Sequence, residues 1–239
     1  MCIAYINFNP NSKYKLMVAM NRDEFYDRPF STLTLNNGLY YPKDIKSNGT
    51  WFAFNERAEF ALVTNIRRLK QNTPKKSRGE IPINVLTNNQ GIDPLDYKLF
   101  NLIAGNTDSA YHISSFNQNK TILNSSSLTV CNGQVFPSAW DKELKLKKKL
   151  DHLVQEEFST QEIFNAMTNE DENLKQTTDI TGYSDEVEKR LSAFFIRIPE
   201  MNYGTVYQSI FLVDSQNKIK YFERYLKDGN LTEIKEYTF

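Results

Sequence analysis

The sequence predicts an α+β protein in which two largely antiparallel sheets are layered between helices. Three observations carry this. Apolar, strand-like runs occupy both ends of the chain. The apolar residues between about 139 and 168 fall at helical spacing. The strand-like runs follow one another through turns instead of alternating with helices as βαβ units do.

Residues 2–9 and 14–21 read as two strands joined by the turn Asn9-Pro10-Asn11-Ser12. The second is nearly all apolar, as expected of a strand covered on both faces. It ends in a cluster of charge, Arg22-Asp23-Glu24. The stretch after Pro29, with Asn36-Asn37-Gly38, reads as loop-rich. Residues 50–54 and 60–64 form a hairpin around Asn55-Glu-Arg-Ala-Glu59. A polar, basic segment at 70–79 leads into a helix over 80–86, with Pro82 tolerated because it lies in the first turn. Residues 100–104, 111–116 and 121–123 read as a meander, and 128–131 as a further strand. The helical part follows: Leu146, Leu150, Leu153, Val154 and Phe158 make one stripe over 139–158. Ser159-x-x-Glu162 is a capping box opening a second helix to about 167. A polar loop or lid is expected over 169–185, then strands at 194–198, 206–213 and 218–224, and a last one over 233–238. With no repeat, low-complexity tract or linker, one domain spanning 1–239 is expected.

The composition narrows the function. The chain has 239 residues, 40% hydrophobic, enough for a sizeable core. Lys+Arg and Asp+Glu balance at 29 each, against a nucleic-acid surface. No run has the length of about 20 apolar residues that spans a bilayer, and no secretory signal opens the chain. Stable membrane insertion is therefore not expected. Two cysteines make no disulfide framework, so a soluble, cytoplasmic protein is the expectation. Two histidines, His112 and His152, are too few for a His-rich metal site, and no metal is expected. His112 reads as half-exposed sheet and His152 as helix surface.

Cys2 admits two readings. It opens an apolar strand, where cysteine is often plain core. It also follows the initiator methionine and is small enough for that methionine to be removed. One residue then carries a thiol and a free amine, with ordinary pKa values of about 8.5 and 7.7–8.0. The amine can then act as base for its own side chain, as in N-terminal nucleophiles.

Several stretches carry a family resemblance. They are Met1-Cys-Ile, Ala19-Met-Asn21-Arg22-Asp23-Glu24-Phe25-Tyr26 with Arg28-Pro29, Asn48-Gly-Thr-Trp-Phe52, Val63-Thr-Asn65 and Ser77-Arg-Gly-Glu80. Phe100-Asn-Leu-Ile-Ala104, Tyr203-Gly-Thr205, Leu212-Val-Asp214 and Phe222-Glu-Arg224 continue it in order to the end of the chain. Together they resemble the NRDE family, also called the transport and Golgi organisation protein 2 family. The resemblance implies the four-layer αββα sandwich of N-terminal-nucleophile (Ntn) hydrolases.

Through a more distant similarity to penicillin acylases and bile-salt hydrolases, the resemblance also implies roles. Cys2 matches the nucleophile, Asn65 an oxyanion-hole asparagine, and Asn132 a second substrate-facing asparagine. Arg22, Asp23 and Glu24 stand where a motif orients the terminal amine. Asn21 and Glu24 match that motif in spacing, and Arg22 and Asp23 in chemistry. The family usually has arginine after Tyr-Gly-Thr, where this chain has Val206; Arg197 and Arg190 are candidate substitutes. Asn21, Arg197 and Tyr203 are the candidate substrate-binding residues.

Two functions follow. One is a cysteine amidohydrolase acting on the non-peptide C–N bond of a small amide, or on a thioester, with no cofactor required. The other is a carrier of haem or an acyl thioester, since members of the family have been tied to haem movement. Eukaryotic relatives are associated with mitochondria or the secretory pathway. Nothing in the sequence sets the oligomeric state.

Overall fold

Period-two alternation, not overall hydrophobicity, decides where each strand residue goes. In β1 (Cys2–Asn11) and β2 (Tyr14–Phe25), the residues Cys2, Ala4, Ile6, Leu16, Val18 and Met20 face one core. Ile3, Tyr5, Met17 and Ala19 face another. The computed structural model describes residues 2–11, 13–68, 76–88, 92–115, 120–123, 126–133, 140–172 and 182–239. Met1, Ser12, the basic residues 70–75, residue 139 at the expected helix start and positions 173–181 of the expected lid lie outside the described residues.

The first sheet has eight strands. Its central order is β10 (Ser127–Val130), β1, β2, β12 (Tyr203–Asp214), β13 (Ile219–Lys227) and β14 (Asn230–Leu231). β11 (Arg197–Ile198) pairs with β12, and β15 (Lys235–Thr238) with β13. The second sheet has seven strands in sequence order. They are β3 (Phe30–Asn36), β4 (Leu39–Asp44), β5 (Phe52–Phe54), β6 (Phe60–Asn65), β7 (Phe100–Gly105), β8 (Ala110–Ser114) and β9 (Lys120–Ile122). Every pairing described within these sheets is antiparallel.

Phe52, Phe54 and Phe60 of the second sheet meet Phe211 and Tyr221 of the first in the core between them. Helices α2 (Asp141–Leu153) and α3 (Thr160–Met167) cover the outer face of the first sheet with Leu146, Leu150, Val154, Ile163 and Phe164. Each such buried side chain contributes about 1.5–3 kcal/mol. Helix α1 (Ile81–Asn88) covers the outer face of the second sheet through Ile81, against Ala61, Val63, Phe100 and Leu102. The result is the expected four-layer αββα sandwich. No helix among the described residues is long and apolar enough to cross a membrane.

Several sequence expectations are corrected. The stretch after Pro29 is the β3–β4 hairpin, not loop: Asn37 and Gly38 have φ of 51° and 78°, the left-handed pair of a two-residue hairpin turn. β2 does not stop before the charges but carries Arg22, Asp23 and Glu24 within the strand. Of the strand expected at 194–198 only Arg197–Ile198 pairs, and α4 (Asp185–Arg190) lies partly where loop was expected. His112 is buried, not half-exposed.

Candidate active site

Because β2 continues through its charged end, strand alternation splits the Asn-Arg-Asp-Glu stretch into different tasks. Asn21 faces the helix layer, fully buried. Its Nδ2 donates to the carbonyls of Met167 (2.9 Å) and Phe194 (2.8 Å), and its Oδ1 accepts from Gln208 (2.9 Å). This corrects the substrate-binding expectation for Asn21, which ties the helices to the sheet. Arg22 pairs with Cys2 across β1–β2 and lies between the sheets. Its Nη2 donates to Asp44 Oδ2 at 2.6 Å, and its guanidinium lies 4.4 Å from the Trp51 ring centroid. Asp23 Oδ1 accepts from Thr205 on β12 at 2.6 Å. Burial pushes the Asp23 carboxyl above its ordinary pKa, while the charge of Lys142 and the Thr205 hydrogen bond act the other way. Glu24 is half-buried, and its Oε1 accepts from the backbone N–H of Phe25 at 3.0 Å.

Cys2, Arg22, Asp23, Glu24 and Asn65 all line one cavity of about 120 Å³. Its other walls include Arg28, Asp44, Trp51 and Arg78. Burial pushes the Cys2 thiol up to about 11. Arg22 and a hydrogen bond from the Asp23 backbone favour the thiolate, and the Asp23 charge opposes it. A thiol in that state is protonated at neutral pH and needs a base to become a nucleophile. Arg78 donates from Nη1 to the carbonyl of Leu99 at 3.0 Å. Burial lowers its guanidinium to about 10, so it is still a cation at neutral pH.

Two of the family stretches meet to make the cavity wall. Gly49, after the left-handed Asn48 (φ 56°), lies directly against Gly79, and Thr50 N–H donates to the Gly79 carbonyl at 2.7 Å. A Cβ on Gly49 would come within 2.4 Å of the Gly79 carbonyl carbon. A Cβ on Gly79 would meet Gly49 Cα and Thr50 N at 3.2 Å. Gly49→Ala is therefore expected to lose about 1–3 kcal/mol or more by overpacking, and Gly79→Ala distinctly less. Urea unfolding of the two variants checks the order; equal losses would show that the two backbones do not need this close approach.

Asn132 does not line the cavity. Its Nδ2 donates to the Asn65 backbone carbonyl at 2.8 Å, so it stands behind Asn65, which corrects the substrate-facing expectation. A buried polar bridge between the sheets sets this contact. Thr64 Oγ1 donates to the Cys131 carbonyl at 2.5 Å, and Asn101 Nδ2 to the Gly133 carbonyl at 2.9 Å. Asn101 Oδ1 contacts His112 Nε2 at 3.1 Å. Burial lowers the His112 pKa to about 4, so the ring is neutral at physiological pH.

Beyond Glu24, Asn65 and Arg78 the cavity is continued by a groove of about 500 Å³. Phe25, Ile66, Leu191, Met201 and Tyr203 give it apolar surface, and Arg28, Arg67, Arg78 and Lys98 give it positive charge. Tyr203 is thus at the groove, and its hydroxyl has no hydrogen-bond partner among the described residues. Arg197 is elsewhere. It pairs with Glu170 and lines a separate pocket of about 360 Å³ with Tyr26, Phe30 and Val206. Arg190 contacts Glu200 and the Arg197 carbonyl. Neither arginine takes a place at the Cys2 cavity. Val206 is the extra residue of a β-bulge, since Thr205 pairs with Asp23 and Tyr207 with Arg22.

Sequence reasoning missed Asp44, Arg28 and Arg78 as parts of the site. Arg28 and Arg78 were in view within Arg28-Pro29 and Ser77-Arg-Gly-Glu80, and their place in those family stretches was the available signal. Asp44 had no local signal.

The architecture is shared with solved enzymes. Over 100% of this chain and 97% of the other, it superposes on two variants of conjugated bile acid hydrolase from Clostridium perfringens with TM-scores of 0.54 and 0.55, at 9% identity in each case. The fold is thus that of an Ntn hydrolase. The model of the family "Transport and Golgi organisation 2" matches residues 1–228, and the chain belongs to that family. The human Transport and Golgi organization protein 2 homolog is 26% identical over 284 residues, covering 100% of this chain and 99% of its own. The mouse homolog is 24% identical over 278 residues, with the same coverage.

Proposed function

We propose that this protein is a cysteine Ntn hydrolase that cleaves the C–N bond of a small, non-peptide amide or the C–S bond of a small thioester. The observation that supports it is Cys2 on the wall of a cavity whose other walls carry Asn65, Arg22 and Arg78. In this reading Met1 is removed and the Cys2 amine takes the thiol proton. The sulfur then bonds to the substrate carbonyl carbon, and the Asn65 amide donates to the oxyanion that forms. Such a donor contributes about 2.7–4 kcal/mol in a characterised hydrolase. Collapse breaks the bond to the leaving group, which receives the proton from the ammonium. Water, deprotonated by the same amine, then cleaves the acyl-thioester. In this reading the Asp23 carboxylate holds the terminal amine by charge, and the Arg22 charge beside Cys2 favours the thiolate. The protein works in the cytoplasm, where its two free cysteines stay reduced.

The test combines intact mass, N-terminal sequencing and hydrolysis of a panel of small amides and thioesters. Cys2→Ala is expected to lower turnover at least ~10³-fold. Full activity with Met1 retained would overturn the reading.

The second reading is a non-enzymatic carrier of haem or an acyl thioester, favoured by the apolar surface of the groove. Haem iron needs an axial side chain, and Cys2 is the candidate, since neither histidine lines the cavity or groove. Under this reading, haem titration gives a saturable Soret change that weakens in Cys2→Ala. Absence of any Soret change removes the haem form of it.

A further inference from the structure

We propose that the cavity beside Cys2 is an anion subsite, in which Arg78 and Arg22 hold a carboxylate of the substrate. The compound cleaved is then a small acyl compound with an acidic group a few bonds from its reactive carbonyl. This rests on the reading of Cys2 as nucleophile and adds a substrate class to it.

The carboxylates on the cavity wall are already engaged. Asp44 accepts from Arg22, from Arg28 Nε to both oxygens (3.2 and 3.0 Å) and from Ser47 N–H (2.9 Å). Asp23 accepts from Thr205, and Glu24 from its neighbour's backbone. Among the described residues Arg78 has no carboxylate at ion-pair distance: the Glu24 charge acts on it from the same cavity, and its described hydrogen bond goes to the Leu99 carbonyl. Two further donors on wall residues, Arg22 Nη1 and Trp51 Nε1, are buried with no partner among the described residues. Buried donors are seldom left so, and an orphaned one costs about 1–3 kcal/mol. A ligand oxygen is the partner this cavity lacks.

The type of anion follows from size and geometry. Guanidinium groups match the planar fork of a carboxylate. A cavity of roughly 150 Å³ takes a benzene ring, so about 120 Å³ suits a carboxylate on a short carbon arm. The bulk of a larger ligand lies in the groove outside. Across cavity and groove together, with Arg67 already paired to Glu188 at 2.6 Å, the lining side chains include Arg22, Arg28, Arg78 and Lys98 against Asp23, Glu24 and Asp44, an excess of one positive charge that favours an acidic ligand.

Iodoacetate and iodoacetamide test this, because they differ in charge and hardly in size. Each alkylates the Cys2 thiolate: the S–C bond forms, the C–I bond breaks and iodide leaves. Both cysteines are buried, Cys2 at 7% exposure and Cys131 at 0%, and peptide mapping separates labelling at the two. The ratio of iodoacetate to iodoacetamide rates at Cys2 is expected to exceed that of N-acetylcysteine at least ~10-fold, as one charge-assisted hydrogen bond provides. Arg78→Gln should bring the ratio down toward the free-thiol value, and Arg78→Lys should keep part of the preference. On the wild-type protein, malonate should slow iodoacetamide labelling of Cys2 where its neutral analogue malonamide does not. A ratio no higher than that of the free thiol, or equal protection by malonate and malonamide, overturns the anion subsite. If Cys2 reacts with neither reagent, the nucleophile reading fails by itself. Calorimetric titration of malonate then decides the subsite: binding lost in Arg78→Gln upholds it, and no binding to wild type ends it.

Discussion

Replacing Asp44 with asparagine is expected to cost about 3–5 kcal/mol, the usual loss when one partner of a buried ion pair is removed. The substitution keeps the size of the side chain and removes only its charge. Arg22 then remains, with a side chain 4% exposed, its Nη1 without a partner among the described residues and its main counter-charge gone. Arg28, 25% exposed at its side chain, can turn to solvent, so Arg22 carries most of the loss. Urea unfolding measures it. The double change Arg22→Met with Asp44→Asn should recover a large part, because an apolar side chain in that place leaves no charge to compensate. A loss below about 1 kcal/mol in the single variant would show that water solvates Arg22 and that the pair is not buried in the energetic sense.

The same cluster has a pH signature. Burial raises the Asp44 carboxyl pKa, but the Arg28 and Ser47 hydrogen bonds and the Arg22 and Arg28 charges outweigh it and set a net lowering. A lowered carboxylate contributes stability above its unfolded pKa of about 3.9 and loses it as pH falls through the folded value. Asp44 therefore contributes fully at neutral pH and stops contributing only in strong acid.

The second large effect appears at milder acidity. His112 falls from 6.5 to about 4 because burial disfavours the imidazolium. The unfolded chain takes up this proton first, so stability is full above pH 6.5 and falls as the pH drops from there to about 4. At about 1.36 kcal/mol per pH unit the loss is about 3 kcal/mol. Glu143 acts in the opposite sense. Burial raises its carboxyl to about 6, so between pH 6 and its ordinary 4.5 acidification stabilises. The observable is therefore the difference between wild type and His112→Gln across pH 4–6.5, in which Glu143 cancels. A constant difference over that range would show that His112 titrates normally. Because the His112–Asn101 contact belongs to the bridge behind Asn65 and Asn132, the acid state should also slow any reaction at Cys2 before global unfolding.

The sequence by itself determined the strand periods, the helical stripe of α2 and the Ser159–Glu162 capping box, each resting on residues at most a few turns apart. It also contained the β3–β4 hairpin in Asn37-Gly38, which was legible and passed over. Alternation along β2 was equally legible. A strand that runs through residue 25 must put Asn21 on the face opposite Arg22, and reading the charges as a strand end hid this. Only the tertiary structure decided the rest of the site. Asp44 reaches Arg22 from the end of β4, and Arg78 joins Cys2 at the cavity from a short 3-10 turn whose Gly79 backbone touches Gly49, an approach for which no local spacing rule exists. Burial made the same difference to His112 and Asn132, for the polar bridge that holds them joins two sheets whose strands are far apart in the chain. Local sequence sets the period and face of each element. Which charged side chains share one low-dielectric space is settled only when the sheets stack.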